Sequence, residues 1–186
     1  MKHENMSVAV IKIPEHVKEM GAELAEAHAA LFDDLSYERA VTELMCDWAF
    51  SEWLVRNRIY HEWDSEWGNE FTCEAMYTGQ LIGVKIHSIY AGEDFDPATE
   101  GIRTPFYDVH TNTDIDCHVL VRYDGQNAYI YGCAAAEHIK QKANIWELRP
   151  MILQLEADAL PVGADLLLAG LGRTEEEQHP LDGLLD

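Results

Sequence analysis

The sequence predicts an α/β or α+β domain in which a small mixed β-sheet is flanked by helices. Three observations point there. Two N-terminal stretches, 15–32 and 37–58, carry apolar residues at helical spacing. Segments between 70 and 133 alternate like strands and are separated by Thr78-Gly79 and Asp124-Gly125. A short helical segment, "AAEHIKQK", follows the last of them. The order helix, helix, three or four strands, short helix is that of a mixed layered domain.

In chain order, "SVAVIKI" reads as a short strand, and Pro14 suits the first turn of the helix that follows. Val17, Met20, Leu24 and Leu31 give that helix an apolar stripe. The helix "YERAVTELMCDWAFSEWLVRNR" is apolar on several sides (Val41, Leu44, Met45, Trp48, Phe50, Trp53, Leu54), which predicts heavy burial. "HEWDSEWGN" reads as a polar, aromatic loop. In "EFTCEAMY", Phe71, Cys73, Ala75 and Tyr77 share one face, and Glu70, Thr72, Glu74 and Met76 the other. "QLIGVKIHSIY" returns with Ile82, Val84 and Ile86 on one face, opposed by Leu81, Gly83, Lys85 and His87. The breaker-rich run from Ala91 to Thr113 reads as a long acidic loop. "DIDCHVLVRY" and "NAYIYGCA" are two further strands, and "IWELRPMILQL" a last extended segment. Residues 1–172 are therefore expected to form a single domain, and 173–186 a mobile acidic tail.

Charge narrows the function. There are 34 acidic and 13 basic residues, a formal net charge of -21. Nucleic acid is a polyanion held by lysine and arginine. Here Arg56 with Arg58 and Lys140 with Lys142 are the close cationic pairs, so direct DNA binding is not expected. The acidity fits salt adaptation, or an acidic face that imitates DNA or docks on a basic partner. No apolar run reaches the roughly 20 residues of a membrane span. The N-terminus lacks a signal-peptide layout. The expectation is an intracellular, cytoplasmic protein that meets no membrane.

Cys46, Cys73, Cys117 and Cys133 form no C-x-x-C pair, so buried free thiols are expected. His87, His110 and His118 offer imidazoles for a metal, but nothing in their spacing enforces one, and satisfied or exposed histidines are the better reading. The acids Glu93, Asp94, Asp96 and Glu100 lack the full spacing of a calcium loop and read as a solvated acidic stretch.

Three segments together resemble the phage and archaeal branch of the PD-(D/E)XK nuclease-like superfamily. The buried helix "ELMCDWAFSEWL" resembles the family's acid-bearing helix, with Asp47 at the acid position. The hairpin "EAMYTGQLIGVK" resembles the run from the first metal-binding acid to the catalytic lysine, with Glu74 and Lys85 at its ends. "DIDCHVLVRYDGQNAYIYGCAAAEHI" resembles the strands and short helix beyond. The resemblance implies a restriction-endonuclease-like core. In an active member, Mg²⁺ or Mn²⁺ held by carboxylates polarises the scissile phosphate, and the lysine stabilises developing charge.

The pattern departs from the family at Gly83, where an acid is expected. Asp64, Glu70 or Asp47 are conceivable replacement ligands, and Glu70 joins Glu74 and Asp47 as the metal set an active member would need. Each residue also has a plain reading. Lys85 suits a salt-bridged strand lysine, Glu74 a solvated one, and Gly83 a close backbone approach. A half-buried Asp47 needs a partner, for which Lys85 is the candidate.

The expectation is a catalytically degenerate nuclease-like protein, encoded by a phage or mobile element, needing no cofactor. It would bind a basic, nucleic-acid-handling protein or complex of a host in the host cytoplasm. Trp63, Asp64, Glu66 and Trp67 are the expected contact residues, because exposed tryptophans among acids suit such an interface. The alternatives are an active Mg²⁺- or Mn²⁺-dependent DNA nuclease using Asp47, Glu74 and Lys85, and a structural or oligomerising domain of a salt-adapted organism.

Overall fold

A computed structural model describes residues 7–30, 36–63, 73–77, 80–92, 94–111 and 115–170. Strand β1 (Ala9–Lys12) leads into α1 (Glu15–Ala29) and α2 (Tyr37–Arg56). Then come β2 (His61–Trp63), β3 (Cys73–Tyr77), β4 (Gln80–Tyr90), β5 (Gly101–Pro105) and α3 (Phe106–His110). The chain continues through β6 (Cys117–Tyr123), β7 (Asn127–Ala135), α4 (Ala136–Lys142), β8 (Asn144–Leu148), β9 (Met151–Glu156), β10 (Val162–Gly163) and α5 (Ala164–Gly170).

Seven strands make one mixed sheet in the order β1-β7-β6-β4-β3-β2, with β10 also on β7. The β4–β6 pairing is parallel, and the remaining pairings of this sheet are antiparallel. The architecture is therefore mixed α+β, as expected. β6 is buried along all seven residues, as a strand covered on both faces must be.

Alternation sorts the side chains into two cores. Val84, Ile86, Val119, Val121 and Ile130 pack with Met45, Phe50 and Leu54 of α2. On the other face, Leu120, Tyr131 and Ala134 pack with Val109, Ile139, Leu153 and Leu155. Burial of Met45, Cys46, Ala49, Phe50, Trp53 and Leu54 follows the helical period and seats α2 on the first face. Ser36 caps this helix, accepting from the Arg39 N–H at 3.2 Å. The four cysteines are free and buried.

Three elements differ from the sequence reading. The long acidic loop contains β5 and α3. The last extended segment is a β8–β9 hairpin, and with β5 it forms a second, antiparallel sheet in the order β5-β9-β8. "HEW", read as loop, is β2. The α1 stripe is also displaced. Val17, Gly21 and Ala25 face the core, while Met20 and Leu24 are 51% and 45% exposed. Small residues at 21 and 25 bring α1 close to α2, and a side-chain carbon at 21 would overlap the Met45 Cε. Leu31, Phe71 and the tail at 173–186 lie outside the described residues.

Candidate functional site

The described part of β3 pairs with β4 only over 80–84, so the half of β4 from Lys85 to Tyr90 borders a cleft. The cleft encloses about 680 Å³ between α2, this half of β4 and the start of β5. Glu38, Arg39, Glu43 and Asp47 enter from the helix, Lys85 and His87 from β4, and Glu100 and Arg103 from the far wall.

Asp47 and Lys85 thus line one cleft, but they are not an ion pair. The Lys85 ammonium bonds the carboxylate of Asp108 on α3. This corrects the expected Asp47–Lys85 partnership. Lys85 projects from the face of β4 that α3 covers, whereas α2 packs on the opposite face. Asp47 has no ion pair among the described residues. Burial, with a smaller contribution from the Glu43 carboxylate, pushes its pKa up to about 7. Glu43 is engaged with Arg39 at 2.8 Å.

On the hairpin, Glu74 lies directly opposite Gly83, so it shares the face that carries Lys85. Gly83 is buried, and its N–H donates to Asp116 Oδ2 at 2.9 Å, while the Asp116 N–H donates to the Gly83 carbonyl at 2.9 Å. Asp116, the residue before β6, thus holds the Gly83 backbone through both its N–H and its carboxylate. Among the described residues, no group of three or more His, Cys, Asp or Glu side chains is arranged to hold a metal ion. Glu70, Asp64, Glu66 and Trp67 lie outside the described residues. Trp63 is 36% exposed on β2, and its indole N–H donates to Ser51 Oγ at 3.2 Å.

Beside Lys85 lies a buried imidazole pair. His87 Nε2 and His118 Nδ1 are 2.8 Å apart, and the rings stack at 5.1 Å. His87 also bonds the Arg103 backbone, which ties β4 to β5 of the second sheet. Between His87 Nε2 and His118 Nδ1, one nitrogen donates and the other accepts. His118 Nε2 is buried with no partner among the described residues. His110 stays exposed on α3 against Phe106 and the Phe106 carbonyl, so the three histidines do not converge.

Sequence reasoning missed Asp108 and Asp116. Asp108 lay in a stretch whose Gly, Pro and Thr content reads as loop, although Pro105 before "FYDVH" is a helix-start signal. Asp116 carries no local signal, because it meets Gly83 through the parallel register of β4 and β6. No protein-family model matches the chain, and neither does any curated protein or solved structure.

Proposed function

We propose that this chain is a catalytically degenerate member of the PD-(D/E)XK nuclease-like group, of phage or mobile-element origin, that works as an acidic binding protein. Its partner is a basic, nucleic-acid-handling protein or complex of the host, met in the cytoplasm. The assignment to that group rests on resemblance: the acid-bearing helix, the Glu74–Lys85 hairpin and the strands beyond it.

One observation carries the loss of catalysis. The Lys85 ammonium is committed to Asp108, so it is not free to stabilise charge on an attacked phosphate. The net charge of -21 supports a basic partner and opposes a DNA substrate. Glu38, Glu43, Asp47 and Glu100 add acidic groups to the cleft. Affinity capture from a host lysate tests the reading. A basic nucleic-acid-binding protein that is retained at low salt and released by high salt is the expected result.

A second reading is favoured by Asp116. Its carboxylate bonds the N–H of Gly83, the position at which the resemblance expects the second acid. Glu74 and Asp116, with an acid from outside the described residues such as Glu70, would then hold Mg²⁺ or Mn²⁺ on the face of β4 that carries Lys85. Incubation with supercoiled plasmid and Mn²⁺ separates the two. Cleavage that is lost in both Asp116→Ala and Lys85→Ala establishes the nuclease and rejects the degenerate site.

A further inference from the structure

A second site lies on α2, next to the cleft, with which it shares Asp47, and does not rest on the function proposed above. Ser51 Oγ and His61 Nε2 are 2.9 Å apart. His61 Nδ1 is 3.2 Å from the Ile59 carbonyl oxygen. A carbonyl can only accept, so Nδ1 carries the proton and Nε2 presents its lone pair to the Ser51 hydroxyl. The result is a nucleophile, a base in the correct tautomer and a group that orients the base, all within hydrogen-bond reach. A helical serine ordinarily bonds the carbonyl one turn back. Here the hydroxyl is drawn to the imidazole instead.

The surroundings fit a substrate. Ser51 opens on a mostly apolar groove of about 260 Å³ walled by Met20, Leu24, Leu44, Trp48 and Trp63, with Asp47 as its one acidic group. Met20 and Leu24 are the exposed residues that depart from the expected α1 stripe. The indole N–H of Trp63 donates to Ser51 Oγ at 3.2 Å, which helps to fix the hydroxyl at the edge of the groove.

We propose that Ser51 and His61 form an acyl-transfer dyad that hydrolyses carboxylic esters whose apolar acyl chain occupies this groove. Ser51 Oγ attacks the ester carbonyl carbon as its proton passes to His61 Nε2. The carbon–oxygen bond to the alcohol breaks, and the alcohol leaves with that proton. Water, deprotonated by His61, then attacks the acyl-serine. The carboxylic acid departs, and the proton on His61 returns to Ser51 Oγ. Ester and water become acid and alcohol, with no other reactant.

Two measurements on the intact chain test this. A fluorophosphonate probe is expected to add one phosphonyl group, located at Ser51 by peptide mass spectrometry. Para-nitrophenyl octanoate is expected to release nitrophenol with an initial burst near one equivalent of protein. Ser51→Ala should abolish the label and the burst, and His61→Gln should slow turnover by on the order of 10²-fold or more. Met20→Trp, which narrows the groove, should reduce the preference for octanoate over acetate. If the folded wild-type chain takes no label at Ser51, or if Ser51→Ala hydrolyses the ester as fast as wild type, the dyad is a structural tether and the proposal fails. The labelling result does not depend on any variant folding, and neither outcome bears on plasmid cleavage or partner capture.

Discussion

His87 Nε2 and His118 Nδ1 lie 2.8 Å apart on neighbouring parallel strands, between the main sheet and the elements that cover it. Two imidazoles this close share one proton between them, and burial keeps both neutral. Desolvation holds the His87 pKa well below its usual value, helped by His118 and Lys85. Desolvation, then the Lys85 charge, lowers that of His118 to about 4.

A pH dependence follows from these two histidines. In the unfolded chain they accept protons near pH 6.5, whereas in the folded state they resist until far lower pH. Their contribution to stability is complete above about pH 6.5 and is lost as pH falls toward 4. Thermal melts between pH 7.5 and 4.5 should show this loss. A His87→Phe/His118→Leu double variant should lose less over the same range, by on the order of 1–2 kcal/mol. Equal slopes for variant and wild type would mean that the pair titrates normally.

Asp47 has the opposite sign. Its pKa is pushed up to about 7, so between the ordinary aspartate range and pH 7 the folded state holds a proton that the unfolded chain has released. Stability from this residue therefore falls as pH rises through that window. Asp47→Asn should stabilise the protein at pH 8 by on the order of 2 kcal/mol and change little at pH 4. Urea titrations at the two pH values measure the difference. Destabilisation at pH 8 would show that the carboxylate serves the folded state.

The Lys85–Asp108 pair anchors α3 to β4. Lys85→Met leaves a mostly buried carboxylate without its cation, at a cost on the order of 2–3 kcal/mol. The Lys85→Met/Asp108→Leu double variant should recover much of that loss, because no charge is then stranded. Urea denaturation of the two singles and the double gives the coupling. Additive effects would show that the pair is energetically idle.

Gly132 sits in β7 at φ +130, next to the register shift between β6 and β7, with β10 packed against it. A side-chain carbon there would overlap the Val162 carbonyl oxygen. Gly132→Ala meets both a left-handed backbone and a backbone clash, and should cost on the order of 3 kcal/mol. Gly21→Ala meets only the flexible end of Met45 and should cost clearly less. Melting temperatures of the two variants, side by side, provide the check.

Much of the fold was legible in the chain. The apolar period of α2 announced a buried helix, and alternation in "EAMYTGQLIGVK" announced the hairpin that sets Glu74 across from Gly83. The absence of any C-x-x-C pair announced free thiols. Periodicity and turn chemistry are properties of a few adjacent residues, so they survive without tertiary context.

The sequence by itself determined the mixed helix–strand class, the two faces of β4 and the excess of acid. Only the tertiary structure decided which side chains meet. The second sheet joins Arg103 to Gln154 across 51 positions, from a segment that reads as loop. Lys85 takes Asp108 rather than Asp47, Asp116 bonds Gly83, and Ser51 finds His61, because strand register and helix placement bring those groups together. Such contacts follow from long-range packing, for which no local pattern carries a signal.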